Sequence, residues 1–514
     1  MSRFKKPLLR LLTMVLLLPF VARPVFAGLV VYVPLDDRPY SLDRVIEAAR
    51  ALKVELLLPP AGFFRGQAGV SDYEELFRWL ASNSSQGAFV IAADALLFGG
   101  LVSSRIHDLD EEEVGWRFEA LKKFCDSLQK PKIALFGTLL RMPRESQGVL
   151  DADYNAKWAP QLFRLARLQT AASRGELSKE ELAAAERLLK TIPVPVLREW
   201  AERRNRSLRA ANRLLALHGA AGVDFVGIGL DDNVCPQLLE PEFRSMASVI
   251  GEASRDRAAV VPGVDQMGLL LFARMVLHDK PRQKVCLLFP RSFGEKLQPN
   301  YSGFTPEESF EIQADVLGVE RVATPQEADM VLVVNLPQGE RTLEASSPAN
   351  NATPDESDEA FAGEIRRILD TGKRVAVADI AFDNGADRGL MEALRKEGLL
   401  TRLAAYSGGN TSDNSIGVAL ATGVLSAWMT EEDRKWLLFT RYLDDWGYQA
   451  VVRPAVVPKG PFAGQAVAGR LEGEIREKLQ AFSQGPLADF GFADFEVSYP
   501  WSRLFEIRIT REKP

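Results

Sequence analysis

Residues 29–41 read LVVYVPLDDRPYS. The run Leu29–Leu35 carries no charge. Asp36, Asp37, Arg38 and Pro39 close it, and an amphipathic helical pattern follows. A continuous apolar run suits a strand buried on both faces, the habit of parallel sheets. The same phrase recurs along the chain. Val54–Leu58, Ala88–Ala93, Ile133–Gly137, Phe225–Leu230, Ala258–Val261, Val285–Phe289, Met330–Leu336, Val375–Ile380 and Leu403–Tyr406 are further short apolar runs. Most end in Gly, Pro, Asp or Asn and lead into a helical pattern. Strands alternating with helices give the α/β class with right-handed crossovers. The expected architecture is mostly parallel sheet, or a barrel-like first unit, with a helical insertion, followed by a second Rossmann-like α/β unit.

The spacing of strands breaks between Ile133–Gly137 and Phe225–Leu230, where residues 151–220 are helix-rich. Ser178 with Glu181 has the form of a capping box, and Pro195 suits the first turn of a helix. Residues 338–358 are polar and without period, which predicts a surface loop or partial disorder. The FEVSYPWSRLFEIRI stretch predicts a terminal pair of strands. The expected segments are 1–27, 28–280 with the insertion near 151–220, 281–480, and 481–514.

The chain has 514 residues, 46% of them hydrophobic and 26% charged, which excludes disordered and fibrous classes. With 63 basic and 69 acidic residues and a net charge of −6, nucleic acid is not an expected partner. Residues 1–10 hold Arg3, Lys5, Lys6 and Arg10, the 12-residue run Leu11–Ala22 is uncharged, and Val25-Phe26-Ala27 precedes Gly28. This is the order of a secretory signal peptide, and the run is short for a permanent span. An uncleaved anchor is the competing reading. Removing residues 1–27 takes away five basic residues and no acid, moving the net charge from −6 to −11. The expectation is an exported, periplasmic or extracellular protein without a stable membrane span. Cys125 and Cys286 read as core residues. Cys235 is a weak candidate nucleophile, because no His lies near it in sequence.

In α/β proteins ligands bind beyond the carboxyl ends of the strands. The residues after each apolar run are therefore the candidate site. They include Asp36, Asp37 and Arg38; Asp94 and Arg105; Arg141; Asp231, Asp232 and Asn233; Asp265; Asp383 and Asn384; and Asn410, Thr411, Asp413 and Asn414. Turn and capping geometry accounts for any one of these groups. Their recurrence at nearly every strand end points to a convergent polar site. Asp36, Asp37, Asp231 and Asp232 are the expected acid, base or cation-holding carboxylates. Arg38, Arg105, Asp265, Asp383, Asn384, Asn410, Thr411, Asn414 and Asp445 are the expected substrate-binding groups. At helical spacing Tyr442 and Trp446 read as packing, with Gln449 beside Asp445 a lesser candidate.

No HExxH, Walker A, G-x-S-x-G or G-x-G-x-x-G signature is present. With only His107, His218 and His278 in the chain, a three-His zinc site is not expected. No cofactor is evident, and any metal is expected to be Mg or Ca held by Asp side chains. The leading expectation is a hydrolase acting on a carbohydrate or similar hydroxyl-rich small molecule or glycan. A solute-binding protein and an envelope scaffold are the rivals.

Nine segments in order carry a resemblance: PLDDRPYS (34–41), FGGLVSSR (98–105), LRMPRES (140–146), LDDN (230–233), PGVDQMG (262–268), ADIAFDNGAD (378–387), AYSGGNTSDNSIG (405–417), DDWGYQ (444–449) and PWSRLFE (500–506). Together they resemble the bacterial domain-of-unknown-function family 4127. Members commonly show Asn at the position of Ser41, Glu at that of Gln266 and Trp at that of Gly409. The Gln266 difference removes a carboxylate that could have been catalytic. The resemblance implies site positions and no particular reaction.

Overall fold

The computed structural model describes residues 28–511 except 61, 65, 67–68, 71, 129–132, 147–149, 233–239, 252–255, 292–298, 340–341 and 458–464. The signal-peptide expectation, Asn233 and Cys235 therefore lie outside the described residues.

The predicted strands form two parallel sheets. The first contains β1 (Leu29–Val33), β2 (Glu55–Leu57), β3 (Ala88–Ala92), β4 (Ile133–Leu139), β5 (Val223–Leu230) and β6 (Ala258–Pro262), in the order β2-β1-β3-β4-β5-β6. The second contains β7 (Lys284–Leu288), β8 (Glu320–Arg321), β9 (Met330–Asn335), β11 (Arg374–Asp379) and β13 (Ala405–Ser407), in the order β13-β11-β9-β7-β8. Between these, β10 (Leu343–Glu344) pairs with β12 (Phe382–Asp383). Counted from its own first strand, each sheet begins 2-1-3-4-5, and the first adds a sixth strand. The first sheet is open, with β2 and β6 at its edges. This corrects the barrel-like alternative, since closure would need those two strands to pair. The strand expected at 403–406 lies at Ala405–Ser407.

The two sheets share a helical layer. In helix Ser412–Leu425 every residue except Thr422 is buried. A helix apolar all round has no solvent face and belongs inside. It packs on β9, β11 and β13, and against helix Met267–Leu277, which packs on β3 and β4. Helix Pro306–Leu317 touches both. Gly417 permits this closeness, because a Cβ there would overlap the Gln313 amide oxygen. One apolar cluster accordingly runs from Val90 through Leu270 and Ile416 to Leu332.

The insertion is built as its sequence suggests. Helices Asn155–Ser173, Lys179–Thr191 and Val194–Leu215 follow one another, the second opening on the Ser178–Glu181 capping box and the third with Pro195 in its first turn. The third packs on β4 and β5, so it is also the crossover that covers the outer face of the first sheet. Residues 338–358 depart from the expectation of a loose loop. Asn350 is buried and donates to the Ala345 and Ala386 carbonyls, and Asp355 caps helix Glu356–Leu369. The terminal strands β14 (Phe495–Ser498) and β15 (Arg508–Arg511) pair antiparallel, as expected. Residues Tyr442–Val452 form a π-helix, buried except for Val451. Cys125 and Cys286 are buried free thiols. Among the described residues no helix is long and apolar enough to cross a membrane.

Candidate active site

The turn after β1 is tied to strand ends of both sheets. Asp36 is 3% exposed and accepts from the Arg38 backbone at 3.1 Å and from Arg38 Nε at 2.9 Å. The same guanidinium reaches Asp265, just past β6, at 2.7 Å. Asp265 also accepts from Asn410 Nδ2 at 2.9 Å, across from the second sheet. Asn414 Oδ1 accepts the Val264 and Asp265 backbone amides at 3.1 and 3.0 Å, and its Nδ2 donates to Thr411 Oγ1 at 2.8 Å. Burial pushes the Asp36 carboxyl up, against the pull of Arg38. Burial acts likewise on Asp265, but Arg38 and Asn410 outweigh it and hold that carboxyl below the usual range. The Trp501 ring lies 5.6 Å from the Arg38 guanidinium carbon, and Trp501 Nε1 donates to Asp37.

Farther along the first sheet, Arg105 grips Asp231 with two bonds of 2.7 Å, and Asp231 is 1% exposed. Arg141 bonds Asp151 at 2.6 Å and Asp232 at 3.4 Å. The Asp232 side chain is 27% exposed, more open than those of Asp36, Asp265, Asp231 and Asp151. Burial, then the neighbouring Asp231 charge, pushes Asp232 up to about 6. Asp94, buried at the end of β3, is pushed up to about 7 by desolvation.

The second unit supplies the facing carboxylates, Asp383 on the short strand β12 and Asp413 at the start of the helix after β13. Asp383 Oδ2 accepts from Asn300 Nδ2 at 3.0 Å. Burial, the Glu344 charge and then the charges of Asp232 and Asp413 push Asp383 up to about 8. Asp413 rises to about 6, again chiefly by burial, with Asp232 adding to the rise. Asp232 of one unit and Asp383 and Asp413 of the other therefore share one electrostatic field. Asn384 donates to Glu344 at 3.1 Å.

Among the described residues, four non-glycine residues have left-handed backbone: Lys53, Asp232, Asn384 and Trp501. Lys53 ends a helix. The other three lie at this cleft, on three separate segments. Such backbone costs about 1–3 kcal/mol per residue and persists where surrounding structure imposes it.

Of the expected site residues, Asp36, Arg38, Asp265, Asn410 and Asn414 form one hydrogen-bonded chain, with Thr411 orienting Asn414 and Asp37 joined through Trp501. Arg105, Asp231 and Asp232 form the first sheet's wall, and Asp383 and Asn384, at the end of β12, the wall facing it. Asp445 stands behind the site. It is fully buried and accepts from Gly408 N at 2.9 Å and from Arg441 at 3.3 Å, so the π-helix props the Gly408-Gly409 loop from within. Tyr442 and Trp446 pack against Tyr406 and Phe482, as their spacing suggests. Gln266 is wholly buried, donating to Pro262 O and Gln313 Oε1, so in this chain its position is structural. Asn300, Glu344, Asp151 and Trp501 are participants that sequence reasoning does not single out. Only Trp501 sits in a recognisable motif. Among the described residues no group of three or more His, Cys, Asp or Glu is arranged to hold a metal ion.

The sequence matches the family described as "Protein of unknown function (DUF4127)" over residues 30–510, nearly its whole length, and the chain belongs to that family. No curated protein and no solved structure matches it.

Proposed function

We propose that the protein is a hydrolase whose cleft between the two sheets cleaves a hydroxyl-rich substrate, a carbohydrate or glycan, by paired carboxylate acid–base chemistry outside the cytoplasm. One observation carries this reading. Asp232 and Asp383 face each other across the cleft, the Asp232 charge adds to the rise of Asp383, and the two are pushed up to different extents, to about 6 and about 8. Asp232 is thus the more readily ionised of the two and Asp383 the more readily protonated. That is the division of labour glycosidic cleavage needs. Asp383 gives its proton to the departing oxygen while Asp232 takes one from the attacking water. Arg38, Asp265, Asn410 and Asn414, already held by one another, bind substrate hydroxyls. Asp36 and Asp231, each locked on an arginine, fix Arg38 and Arg105 in place rather than exchanging protons.

The fold also bears on the solute-binding rival. A clasping binder hinges between two cores, whereas here a single apolar cluster joins the sheets. The test is reducing-sugar release from a panel of plant, algal and bacterial polysaccharides. At least one should be cleaved, and cleavage should fall at least 100-fold in Asp232→Asn and in Asp383→Asn. A panel left uncleaved, or variants that cleave as well as the parent, would overturn the proposal.

A further inference from the structure

The two-residue strands β10 and β12 set two carboxylates side by side. They pair in parallel with Glu344 opposite Asp383. Neighbouring strands lie about 4.8 Å apart, and register partners project to the same face. The Ala345 amide, donating to the Asp383 carbonyl at 2.9 Å, extends the pairing. Each carboxylate is held by one of two consecutive residues. Asn300 Nδ2 donates to Asp383 Oδ2 at 3.0 Å, and the Tyr301 hydroxyl donates to Glu344 Oε1 at 3.0 Å. Asn384 donates to the other Glu344 oxygen at 3.1 Å. Titratable groups face Asp383 from four segments: Glu344 on β10, Tyr301 beside Asn300, Asp232 past β5, and Asp413 at the start of helix Ser412–Leu425. None of these is a cation. Arg453, at the end of the π-helix, feels the Glu344 charge, but its guanidinium donates to Gln449. Like charges directly opposite on neighbouring strands destabilise a sheet. The cost is avoided when one of the two keeps its proton. Asp383 is 1% exposed, whereas Glu344 is exposed to water, so the proton belongs on Asp383 and the charge on Glu344. After burial, the Glu344 charge is the largest influence raising Asp383, ahead of Asp232 and Asp413.

We propose that Glu344 is a positioning residue for Asp383: clamped by Tyr301 and Asn384, it lays a fixed negative charge beside Asp383 and so keeps in place the proton that Asp383 delivers to the departing oxygen. The proposal rests on the hydrolase reading for the use of that proton, but not for its presence. A carboxyl acts as a general acid near neutral pH only when its surroundings oppose its ionisation, and a neighbouring like charge does so. The orientation of the acid and its protonation then have one origin, the frame made by β10, β12 and the consecutive residues Asn300 and Tyr301.

The experiment pairs a pH–rate profile with thermal unfolding against pH, for the full chain and for Glu344→Gln, which keeps the size of the side chain and removes its charge. On a polysaccharide that the parent cleaves, the alkaline limb of Glu344→Gln should move toward acid by about one pH unit. The rate at the optimum should fall less than about tenfold, because Asp383 is still present. Glu344→Asp, which keeps the charge on a shorter stem, should return part of the shift. Tyr301→Phe removes a clamp but no charge, and should leave the limb in place. The second readout needs no substrate. A raised carboxyl contributes stability that is lost as pH rises through its folded value, so lowering that value leaves less to lose. The fall in Tm from pH 5 to pH 9 should therefore be smaller in Glu344→Gln than in the parent. Adding Glu344→Gln to Asp383→Asn should flatten the slope no further. A limb or a slope that stays at the parent's position in Glu344→Gln would overturn the proposal. So would a limb that moves as far in Tyr301→Phe as in Glu344→Gln, since contact rather than charge would then be at work. If no polysaccharide is cleaved, the hydrolase reading falls, and the slope alone decides whether Glu344 holds the proton on Asp383.

Discussion

The two sheets begin with the same strand order, yet they finish their carboxyl ends in different ways. In the first, carboxylates are balanced by arginines: Asp36 and Asp265 by Arg38, Asp231 by Arg105, Asp151 and Asp232 by Arg141. In the second, the corresponding edge centres on Asp379, whose hydrogen-bond partners are neutral. Asn335 Nδ2 donates to it at 2.8 Å, the Tyr406 hydroxyl at 2.7 Å and the Asp387 amide at 2.8 Å. Burial pushes Asp379 up. Identical topology therefore specifies where polar groups gather but not whether they stay charged. The first edge is charged and partly open, the condition for binding and proton exchange. Around Asp379 the second is sealed, and that carboxyl is biased toward the neutral form that neutral partners tolerate.

The largest expected effect tests where the two edges meet. Turnover should follow a bell in pH, falling below about 6 as Asp232 takes up a proton and above about 8 as Asp383 loses one. Either asparagine variant should lower kcat by about 10²–10⁴-fold. What little activity Asp383→Asn keeps should lack the alkaline limb. A profile in which that limb survives unchanged would assign the proton donor to another group.

The next contrast is energetic. Arg105→Met would strand the Asp231 charge, 1% exposed, without a partner. Breaking a buried pair from one side costs about 3–5 kcal/mol. Asp379→Asn keeps the volume and leaves no charge behind, so only part of a hydrogen-bond set is lost, at about 1–2 kcal/mol. Urea unfolding of both variants at pH 7 compares them directly. Equal losses would mean that the two edges are held by the same kind of interaction.

Stability against pH separates the edges in a third way. A carboxyl whose folded value is raised holds a proton that the unfolded chain has already released. Its contribution to stability is full below the ordinary carboxylate range and is lost as pH rises through the folded value. With Asp383 at about 8 and Asp94 at about 7, Tm should fall from pH 5 to pH 9. Asp383→Asn should flatten that slope. An unchanged slope would show that Asp383 is ionised in the folded state.

How much of this was legible in the sequence follows from the range of each interaction. Strands such as Ile133–Leu139 and Met330–Asn335 are buried on both faces, so their continuous apolar runs announce them. Whether the first sheet closes depends on β2 meeting β6, a non-local pairing that leaves no trace in a run of residues. The two-residue strands β10 and β12 and the π-helix at Tyr442–Val452 have no period to detect. At the site, the rule that ligands bind at strand ends finds Asp36, Asp232, Asp265, Asp383 and Asn410. It does not assign their roles. Those depend on partners far away in the chain, such as Asp265 for Arg38, 227 positions on, or Asp231 for Arg105, 126 positions on. Asp36 and Asp232 look alike in sequence, but Asp36 is held at 2.8 Å by Arg38, itself locked on Asp265, whereas Asp232 meets Arg141 at 3.4 Å and keeps 27% of its side chain exposed.

The smallest expected effect concerns backbone strain and asks whether the cleft's unusual conformations serve function. Lys53 and Asn384 share nearly the same φ, 58° and 60°. Glycine adopts that conformation without steric cost, so Lys53→Gly and Asn384→Gly should each gain up to about 1 kcal/mol from relieved strain. Each also gives up one contact. For Lys53 it is an exposed ion pair with Asp433, worth little in water. For Asn384 it is the bond to Glu344 beside Asp383. If strain at the cleft is kept for function, the two substitutions part company in activity while staying close in stability. Lys53→Gly should leave turnover unchanged, whereas Asn384→Gly should lower it several-fold. Equal turnover in both would place Asn384 with ordinary helix ends, and would remove strain from the account of how the two edges form one site.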